Sequence, residues 1–333
     1  MIVLALLGAA LFVAVVVDVV STTTGSGAMS GSGPMTSRVA RRIWVVALRL
    51  HRRRPSHRGL HVLGLLLTHL LITVWIVALW LAWTLIFLSD EGSIVDGTTG
   101  APVDLVGKTY FTGYSLLTLG NGEFVPGSST WQLATVAVAG TGLGIVTLGV
   151  TYVLNIVQAG NRRRTLASTV WSLGDDADAI VERARRDPQH LGQQLWSLVD
   201  RFSSVREQHT AFPVLHYLHA VDIHRSLPAQ AAKLRTTVDH LVQRDDELGV
   251  SSSILESLER ELREYSITVA AYGPSPQDGG GDIPTPEQLL ATSGWFCEAG
   301  PGEVDEAHER RGEAEAEVSD GNVTRDEADT ATG

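Results

Sequence analysis

Three long apolar runs constrain this chain more than any other feature of its sequence. They cover residues 1–20, 60–88 and 131–158. Each run reaches the roughly 20 residues that an α-helix needs to cross the hydrocarbon core of a bilayer. No Lys or Arg precedes the first run, whereas a cleaved signal peptide begins with positive charge. We therefore expect three retained transmembrane helices.

The arginines predict how these helices are oriented. Eight of them, with no acidic residue, separate the first two runs: Arg38, Arg41, Arg42, Arg49, Arg52, Arg53, Arg54 and Arg58. Three more, Arg162, Arg163 and Arg164, follow the third run. Because cytoplasmic loops carry the excess of positive charge, both segments are expected inside, with the N-terminus and residues 89–130 outside and the C-terminus in the cytoplasm.

The linker between the first two runs is expected to bind the anionic inner leaflet. Residues 38–54 could form a basic amphipathic helix, and its lipid-facing side would carry Ile43, Val46, Ala47 and Leu50. Attraction between arginines and anionic lipid explains these charges, so no nucleic-acid partner is predicted. Arginine outnumbers lysine by 24 to two, a composition typical of a GC-rich bacterium, which favours the bacterial inner membrane as the location.

The loop between the second and third runs contains the glycine-rich stretch TLGNGEFVP, residues 118–126. A short helix is predicted just before it, from residue 106 to residue 118. Non-helical backbone is tolerated at membrane depth only where it is buried in protein or lines a water-filled path. A re-entrant helix followed by such a strand is the arrangement of a selectivity filter, in which backbone carbonyls replace the hydration shell of an ion.

The wider segment YFTGYSLLTLGNGEFVP, residues 110–126, resembles the pore loop of the potassium channel superfamily, which usually reads close to YFSFVTLTTVGYGDIVP. Conservative exchanges occur at Thr112, Ser115, Leu119, Glu123 and Phe124. The identical positions are Tyr110, Phe111, Leu116, Thr118, Gly120, Gly122, Val125 and Pro126. The resemblance extends over roughly residues 60–160 and is specific, because the match is ungapped and lies between two spans.

The resemblance implies a bacterial two-transmembrane, pore-loop ion channel with an additional N-terminal span. No cofactor is implied other than the permeant ion, K⁺ or Na⁺. Glu123 would lie at the outer mouth. Since one chain supplies one loop and the family filter needs four, a homotetramer is implied. The filter would consist of Thr118, Leu119, Gly120, Asn121 and Gly122.

Asn121 departs from the family pattern, which has a tyrosine at this position. In the family, the tyrosine ring braces the filter against the pore helix, and asparagine is expected to be too short to do so. A filter without this brace would be more adaptable. From the resemblance we expect a potassium channel. The missing brace leaves a non-selective cation channel as the alternative. Five carboxylates against one lysine in residues 89–130 would attract cations in either case.

Three glycines in the third run, Gly140, Gly142 and Gly144, allow two interpretations. Small residues let helices pack closely, and they could also form a gating hinge in the inner helix. Both interpretations stay open on the sequence alone.

The second half of the chain predicts a helical cytoplasmic domain and a disordered acidic tail. Apolar residues at helical spacing, including a heptad of only two repeats formed by Leu255, Leu258, Leu262, Tyr265 and Val269, predict a small helical bundle. This bundle could meet its copies across a fourfold axis. The complete prediction is an all-α membrane protein with a re-entrant pore loop between its second and third transmembrane helices. Its segments are an N-terminal transmembrane helix (1–21), a basic cytoplasmic linker (22–58), a channel domain (59–160), a cytoplasmic helical domain (161–272) and the tail (273–333).

No nucleophile, base or metal-ligand constellation points to an enzyme. Four histidines lie near Asp222, namely His209, His216, His219 and His224. On one helix they could form a metal or proton sensor, or they could be ordinary helix residues.

A different class of function also stays open, a membrane-anchored signalling or scaffold protein whose pore loop does not conduct.

Overall fold

The computed structural model of the protein describes residues 1–24, 34–53, 56–244, 248–271 and 284–295. The chain divides into two units, Met1–Gly294 and Trp295–Gly333, and of the second unit the structure describes Trp295 alone. The helices of the first unit are α1 (Ile2–Thr24), α2 (Pro34–Arg53), α3 (His57–Leu88), α4 (Leu105–Leu116), α5 (Ser129–Trp171), α6 (Ala177–Arg186), α7 (Pro188–Ala211), α8 (Leu227–Gln243), α9 (Ser252–Ala271) and α10 (Pro286–Thr292). Two short strands, β1 (Ile94–Asp96) and β2 (Phe124–Pro126), complete the regular structure.

Three of these helices, α1, α3 and α5, are long and apolar enough to cross a membrane. This confirms the prediction of an all-α membrane protein. Helix α1 packs along α3, and their backbones approach closely at Gly8, where a Cβ atom would lie 2.7 Å from the carbonyl oxygen of Ala82. The carboxylate of Asp18 is buried in this contact and accepts a hydrogen bond of 2.9 Å from the indole of Trp75.

Helix α5 contains 43 residues, which at 1.5 Å per residue is about 65 Å of helix. The hydrocarbon core is only about 30 Å thick, so α5 continues well beyond it. The boundary predicted between residues 160 and 161 falls inside this unbroken helix. The inner helix of the channel domain is therefore also the first helix of the domain that follows.

That following domain has its own apolar core, formed by the end of α5 together with α6 to α10. The heptad residues of α9 lie in this core, where Leu258 and Tyr265 are fully buried. They pack against α7 and α8 of the same chain. The heptad pattern therefore belongs to the core of a helical bundle within one chain, and contact of this bundle with its copies stays a prediction.

Part of the predicted disordered tail is helical. Within residues 273–333, the structure describes 284–295, which contain helix α10. Leu289 on this helix is 1% exposed and belongs to the core of the helical domain. Residues 273–283 and 296–333 lie outside the described part of the chain.

Helix α2 confirms the prediction of a helical linker but not the predicted lipid-facing residues in full. Val46 and Leu50 are exposed, at 61% and 66%. Ile43 and Ala47 instead pack against the core formed by the membrane helices. Trp44 and Leu48, which the amphipathic pattern did not single out, are buried in that core. One side of α2 therefore faces the protein.

Candidate functional site

Helix α4 ends directly at the glycine-rich segment and holds its first residues. The helix is capped at its start by Asp104, whose carboxylate accepts a hydrogen bond from the backbone of Gly107 at 2.8 Å. At its end, the backbone N–H of Thr118 donates to the carbonyl of Ser115 at 3.2 Å, and that of Leu119 donates to Tyr114 at 2.8 Å. The segment therefore leaves the helix in a fixed direction.

The backbone of residues 118–122 alternates between two conformations. Thr118, Gly120 and Gly122 have φ angles of 57°, 63° and 79°, whereas Leu119 and Asn121 do not have positive φ. Alternation between left-handed and right-handed dihedrals turns successive N–H groups to one side of a strand, and with φ positive at every second residue here we expect the carbonyls to face the other side. A row of carbonyls on one side is what the predicted filter would need.

Glycine is needed at two of these positions for its backbone freedom. A Cβ atom on Gly120 or Gly122 would meet no heavy atom within 4 Å, so space is not the reason. Only glycine adopts positive φ at little cost. Thr118 adopts it without that freedom, and such strain costs about 1–3 kcal/mol and is concentrated at functional sites.

Asn121 does reach the pore helix, so the prediction that it is too short to do so is wrong. Its side-chain amide donates a hydrogen bond of 2.8 Å to the hydroxyl of Tyr110 on α4. The same nitrogen lies 3.3 Å from a carboxylate oxygen of Glu123. The long side chain of Tyr110 reaches from α4 to residue 121, so the short asparagine can still contact this helix. The brace exists, but it is polar and is formed by two side chains.

The segment after the glycines is fixed from behind. The hydroxyl of Tyr114 donates to the carbonyl of Phe124 at 2.8 Å. Strands β1 and β2 pair antiparallel, with Val95 opposite Val125, and the backbone N–H of Gly97 donates to the carbonyl of Glu123 at 2.9 Å. These contacts tie the end of the segment to the outer loop.

The outer loop is in turn fixed to the start of α4 by a buried lysine. The ammonium of Lys108 donates to the carbonyls of Asp90, Glu91 and Phe87, at 2.6, 3.0 and 3.4 Å. Charge-assisted hydrogen bonds of this kind are the strong ones. Lys108 is only 4% exposed, so it acts as an internal clasp between α3, the loop and α4.

The outer carboxylates divide into structural and exposed groups. Asp90 accepts from the indole of Trp131 at 2.8 Å, and Asp104 caps α4. Asp96 accepts from the backbone N–H groups of Thr99 and Thr98, and these bonds hold its pKa below the usual value. Glu91 and Glu123 are exposed, which leaves them available to attract cations.

The predicted filter, residues 118–122, is exposed in the single chain. Residues 117–123 are all exposed, and Leu117 and Leu119 reach 59% and 72%. The inner helix α5 also presents apolar residues that nothing in the chain covers, among them Leu133 at 74% and Val136 at 69%. Apolar surface of this extent marks contact with lipid or with another protein surface.

The three candidate glycines of α5 have different surroundings. A Cβ atom on Gly142 would lie 1.9 Å from the carbonyl oxygen of Leu116, so Gly142 allows α5 to touch the end of α4. Gly140 and Gly144 have no heavy atom within 4 Å of such a position. The packing interpretation therefore accounts for Gly142, while the other two face away from the chain's own contacts.

The four histidines near Asp222 do not share a helix. Residues 213–217 form a 3₁₀ helix, and His209 and His216 lie in the protein interior with ring centroids 5.8 Å apart. His224 instead packs on Trp171. Among the described residues, no group of three His, Cys, Asp or Glu side chains is arranged to hold a metal ion.

His219 belongs to a different cluster that the sequence did not indicate. Its Nε2 atom lies 2.8 Å from Nδ1 of His57, and its backbone carbonyl lies 2.8 Å from Nδ1 of His61. His51 of α2 packs against His57 at a centroid distance of 5.0 Å. The two contacts of His219 join residues more than 150 positions apart, which is why no sequence motif revealed them.

Comparisons with known proteins identify the same segment. Residues 66–159 match the family model described as an ion channel, which runs from α3 to α5 and includes α4 and the filter segment. An uncharacterized membrane protein of Bacillus subtilis (strain 168), YdjJ, is 32% identical over 193 residues, or 57% of this chain and 56% of that protein. The chain thus covers little more than half of that relative's length. No solved structure matches significantly.

Proposed function

We propose that the chain forms a cation channel that favours potassium, because residues 66–159 match the family model described as an ion channel. The permeation path would be lined by the carbonyls of Thr118, Leu119, Gly120, Asn121 and Gly122. Glu123 would lie at its outer mouth and attract cations from solution.

The observation that carries this proposal is the alternating backbone of residues 118–122. Positive φ at Thr118, Gly120 and Gly122 gives successive carbonyls a common side, and a potassium filter binds its ion with such a row. A loop without this role would have no need for a strained threonine. The anchoring of both its ends supports the same interpretation, because a filter must keep its geometry while ions pass.

The pore would be a homotetramer. A single segment presents its carbonyls to one side only, so it cannot surround an ion. The exposure of residues 117–123 and of the apolar face of α5 leaves room for three further copies around a common axis. Gly140 and Gly144, which are uncovered in one chain, would then lie at the pore or against a neighbouring copy, where a hinge in α5 would act as a gate.

Potassium is favoured over a non-selective pathway because Asn121 is held in place. Selectivity depends in part on how firmly the filter carbonyls are positioned. The hydrogen bond from Asn121 to Tyr110 supplies such a restraint, although a side-chain amide fills less space than the tyrosine of the family. Comparable permeation of Na⁺ and K⁺ would favour the non-selective alternative.

We place the channel in the bacterial inner membrane, with the N-terminus outside and the C-terminal domain in the cytoplasm. The arginines of the 38–58 linker support this orientation, since Arg42, Arg49, Arg52, Arg53 and Arg58 are exposed and could meet anionic lipid. A cytoplasmic reporter fused after Arg164 should be active, and one fused before Met1 should be inactive. The reverse pattern would refute the orientation.

The decisive experiment is ion flux into liposomes containing the purified full-length protein, under K⁺ or Na⁺ gradients. Gly120→Ala should abolish flux. Gly100→Ala is a matched control that lies in the outer loop. Gly100 also has positive φ, 70°, and no heavy atom lies within 4 Å of the position that an added Cβ would take. Native mass measurement should show a tetramer for all three proteins.

The alternative from another class is a membrane-anchored scaffold whose pore loop does not conduct. It predicts no flux above that of empty liposomes from a protein that is correctly assembled as a tetramer. It also predicts that Gly120→Ala and Gly100→Ala behave alike. Flux that is lost with Gly120→Ala and kept with Gly100→Ala would exclude this alternative.

A further inference from the structure

A cleft rich in arginine lies where the inner helix enters the helical domain. Arg163 and Arg164 of α5 line it from one side. Arg225 and the start of α8, at Ser226, Leu227 and Pro228, line it from the other side. The cleft is open to solvent and has a cavity volume of about 30 Å³. We call this region, defined by Arg163, Arg164 and Arg225, the arginine cleft.

The buried member of the set, Arg163, is the first indication of a ligand. It is only 9% exposed, and its guanidinium donates to the carbonyl of Leu215 and lies close to Tyr265. Its Nε atom is buried and has no hydrogen-bond partner among the described residues. A buried charge is costly unless it is paired, and no described carboxylate forms a salt bridge with Arg163, so an anion in the cleft would supply the missing negative charge.

The charge of the cleft points to an anion. None of the three arginines forms a salt bridge with a carboxylate in the described part of the chain. One acid, Asp222, borders the adjoining recess beside Arg164 and Arg225, and its carboxylate accepts from the backbone of His224 at 2.9 Å. The three arginines of the cleft thus outnumber the one acidic residue beside it, Asp222.

The start of α8 adds donors on the opposite wall. Its N-cap residue, Ser226, makes no side-chain capping bond. Because Pro228 has no N–H group and that of Gln230 donates to the carbonyl of Ser226, the donors at this helix start are the backbone N–H groups of Leu227 and Ala229. The N-terminus of a helix attracts anions through its dipole and its free N–H groups. Histidines 216 and 219 also border the cleft, and burial lowers the pKa of each to about 3, so the arginines supply the positive charge at neutral pH.

We propose that the arginine cleft binds a phosphate group through Arg163, Arg164, Arg225 and the start of α8. Arginine is suited to phosphate because its planar donors form paired, charge-assisted hydrogen bonds. A ligand held there would link α5 to α8 and so connect the inner helix with the helical domain. The phosphate could belong to a lipid headgroup or to a soluble compound, and the two sources share the same recognition.

The test uses the full-length protein in a neutral detergent. One arm titrates inorganic phosphate and follows binding by calorimetry. The other arm adds phosphatidylglycerol or phosphatidylcholine and counts the lipids retained per chain by native mass spectrometry. The variants are Arg225→Gln, Arg164→Gln and the double variant. Arg162→Gln is the matched control, because Arg162 is exposed next to the cleft but does not line it.

In wild type and Arg162→Gln we expect saturable binding of inorganic phosphate, or retention of phosphatidylglycerol in preference to phosphatidylcholine. The first result identifies a soluble phosphate ligand and the second a lipid headgroup. Each cleft substitution should weaken binding about tenfold. Equal behaviour of wild type, Arg162→Gln and Arg225→Gln in both arms would overturn the proposal. If the double variant does not fold, the Arg225→Gln variant by itself decides the outcome, because Arg225 is exposed.

Discussion

The side-chain amide of Asn121 donates a hydrogen bond to the hydroxyl of Tyr110 across 2.8 Å. This contact joins the glycine-rich segment to the helix that precedes it. Tyr110 also packs edge-on against Tyr114, with ring centroids 5.2 Å apart, so the acceptor is held in place by a neighbour. A filter braced in this way depends on two residues that are 11 positions apart in the chain.

The contact predicts that Tyr110→Phe and Asn121→Ala both impair selectivity, because each removes the hydrogen bond between the two side chains. Removal of either partner should lower the K⁺/Na⁺ permeability ratio by about fivefold, the equivalent of one neutral hydrogen bond. The double variant should be no worse than the single variants, because the bond can be lost only once. Reversal potentials under K⁺ and Na⁺ gradients measure the ratio, and strictly additive effects would contradict the brace.

A second prediction concerns the contact between the inner helix and the end of α4. Gly142→Ala places a Cβ atom 1.9 Å from the carbonyl oxygen of Leu116, so α5 must move away from the pore helix. Overpacking of this kind costs about 1–3 kcal/mol, and we expect a lower Tm and less assembled tetramer. Gly149→Ala serves as the control, because its Cβ would meet only side-chain atoms of Ile72, at an ordinary contact distance of 3.4 Å or more. Similar Tm values for the two variants would refute the contact.

The features that could be predicted from the sequence are those that depend on local pattern. The membrane helices follow from the length of the apolar runs, and the resemblance read from the glycine-rich loop agrees with the match of residues 66–159 to an ion channel family model. Strands β1 and β2 were not predicted, because three residues each are too few to show an alternating pattern. Their pairing depends on contact between the two ends of the loop.

Other features were missed because distant segments determine them. Trp44 is buried although it lies on a basic helix, and its ring packs on Tyr217 with centroids 5.4 Å apart. The hydrogen-bonded pair of His57 and His219 likewise joins the start of α3 to a segment 162 positions away. A helical pattern identifies which residues share a face, but the partner of that face depends on the whole fold.

The two lysines provide a third prediction, because each donates to backbone carbonyls in a different part of the molecule. Lys108→Met should destabilise the channel region by about 3 kcal/mol, since it leaves buried carbonyls without a charged donor, and it should reduce the preference for K⁺. Lys233 donates to the carbonyl of Gly174 at 2.6 Å in the helical domain. Lys233→Met should lower the Tm but leave the reversal potential unchanged, and a shift in that potential with Lys233→Met would contradict this division.

Three buried histidines predict a loss of stability in acid. Burial lowers the pKa of His216 and His219 to about 3 and that of His209 well below its usual value, and the neighbouring Arg163 adds to the effect on His209 and His216. For His219, repulsion between neighbouring imidazoles, with His57 first and then His51 and His61, adds to the lowering of the pKa, while the hydrogen bond to the carbonyl of Ser293 opposes it.

In the unfolded chain a histidine titrates near pH 6.5. Below that pH the unfolded chain binds protons that the folded chain does not, so stability is fully present above pH 6.5 and falls as the pH drops toward 3. The loss is about 1.4 kcal/mol per pH unit for each histidine. Tm measured between pH 7.5 and 5.5 should fall less steeply for His219→Gln than for wild type. His190→Gln, on the exposed start of α7, should match wild type, and identical slopes for all three would refute the prediction.

The last prediction concerns the residue that distinguishes this filter from the family pattern. Asn121→Tyr should raise the preference for potassium, because an aromatic ring fills the space behind the filter and holds its carbonyls more firmly. The surroundings suit a ring, since Tyr110 already packs near Tyr114 and Phe124, with centroids 5.2 and 6.3 Å away. Tyr110 is 45% exposed, so it can move aside when its bond to Asn121 is lost.

The risk in this substitution is overpacking, which costs about 1–3 kcal/mol in a close-packed site. The companion variant Asn121→Tyr with Tyr110→Phe removes the hydroxyl that would compete for the same space and should rescue assembly if crowding is the cause. Reversal potentials with K⁺ on one side and Na⁺ on the other compare these proteins with wild type. A conducting Asn121→Tyr channel with an unchanged reversal potential would show that residue 121 does not set selectivity, and that the polar brace holds the filter as firmly as a ring would.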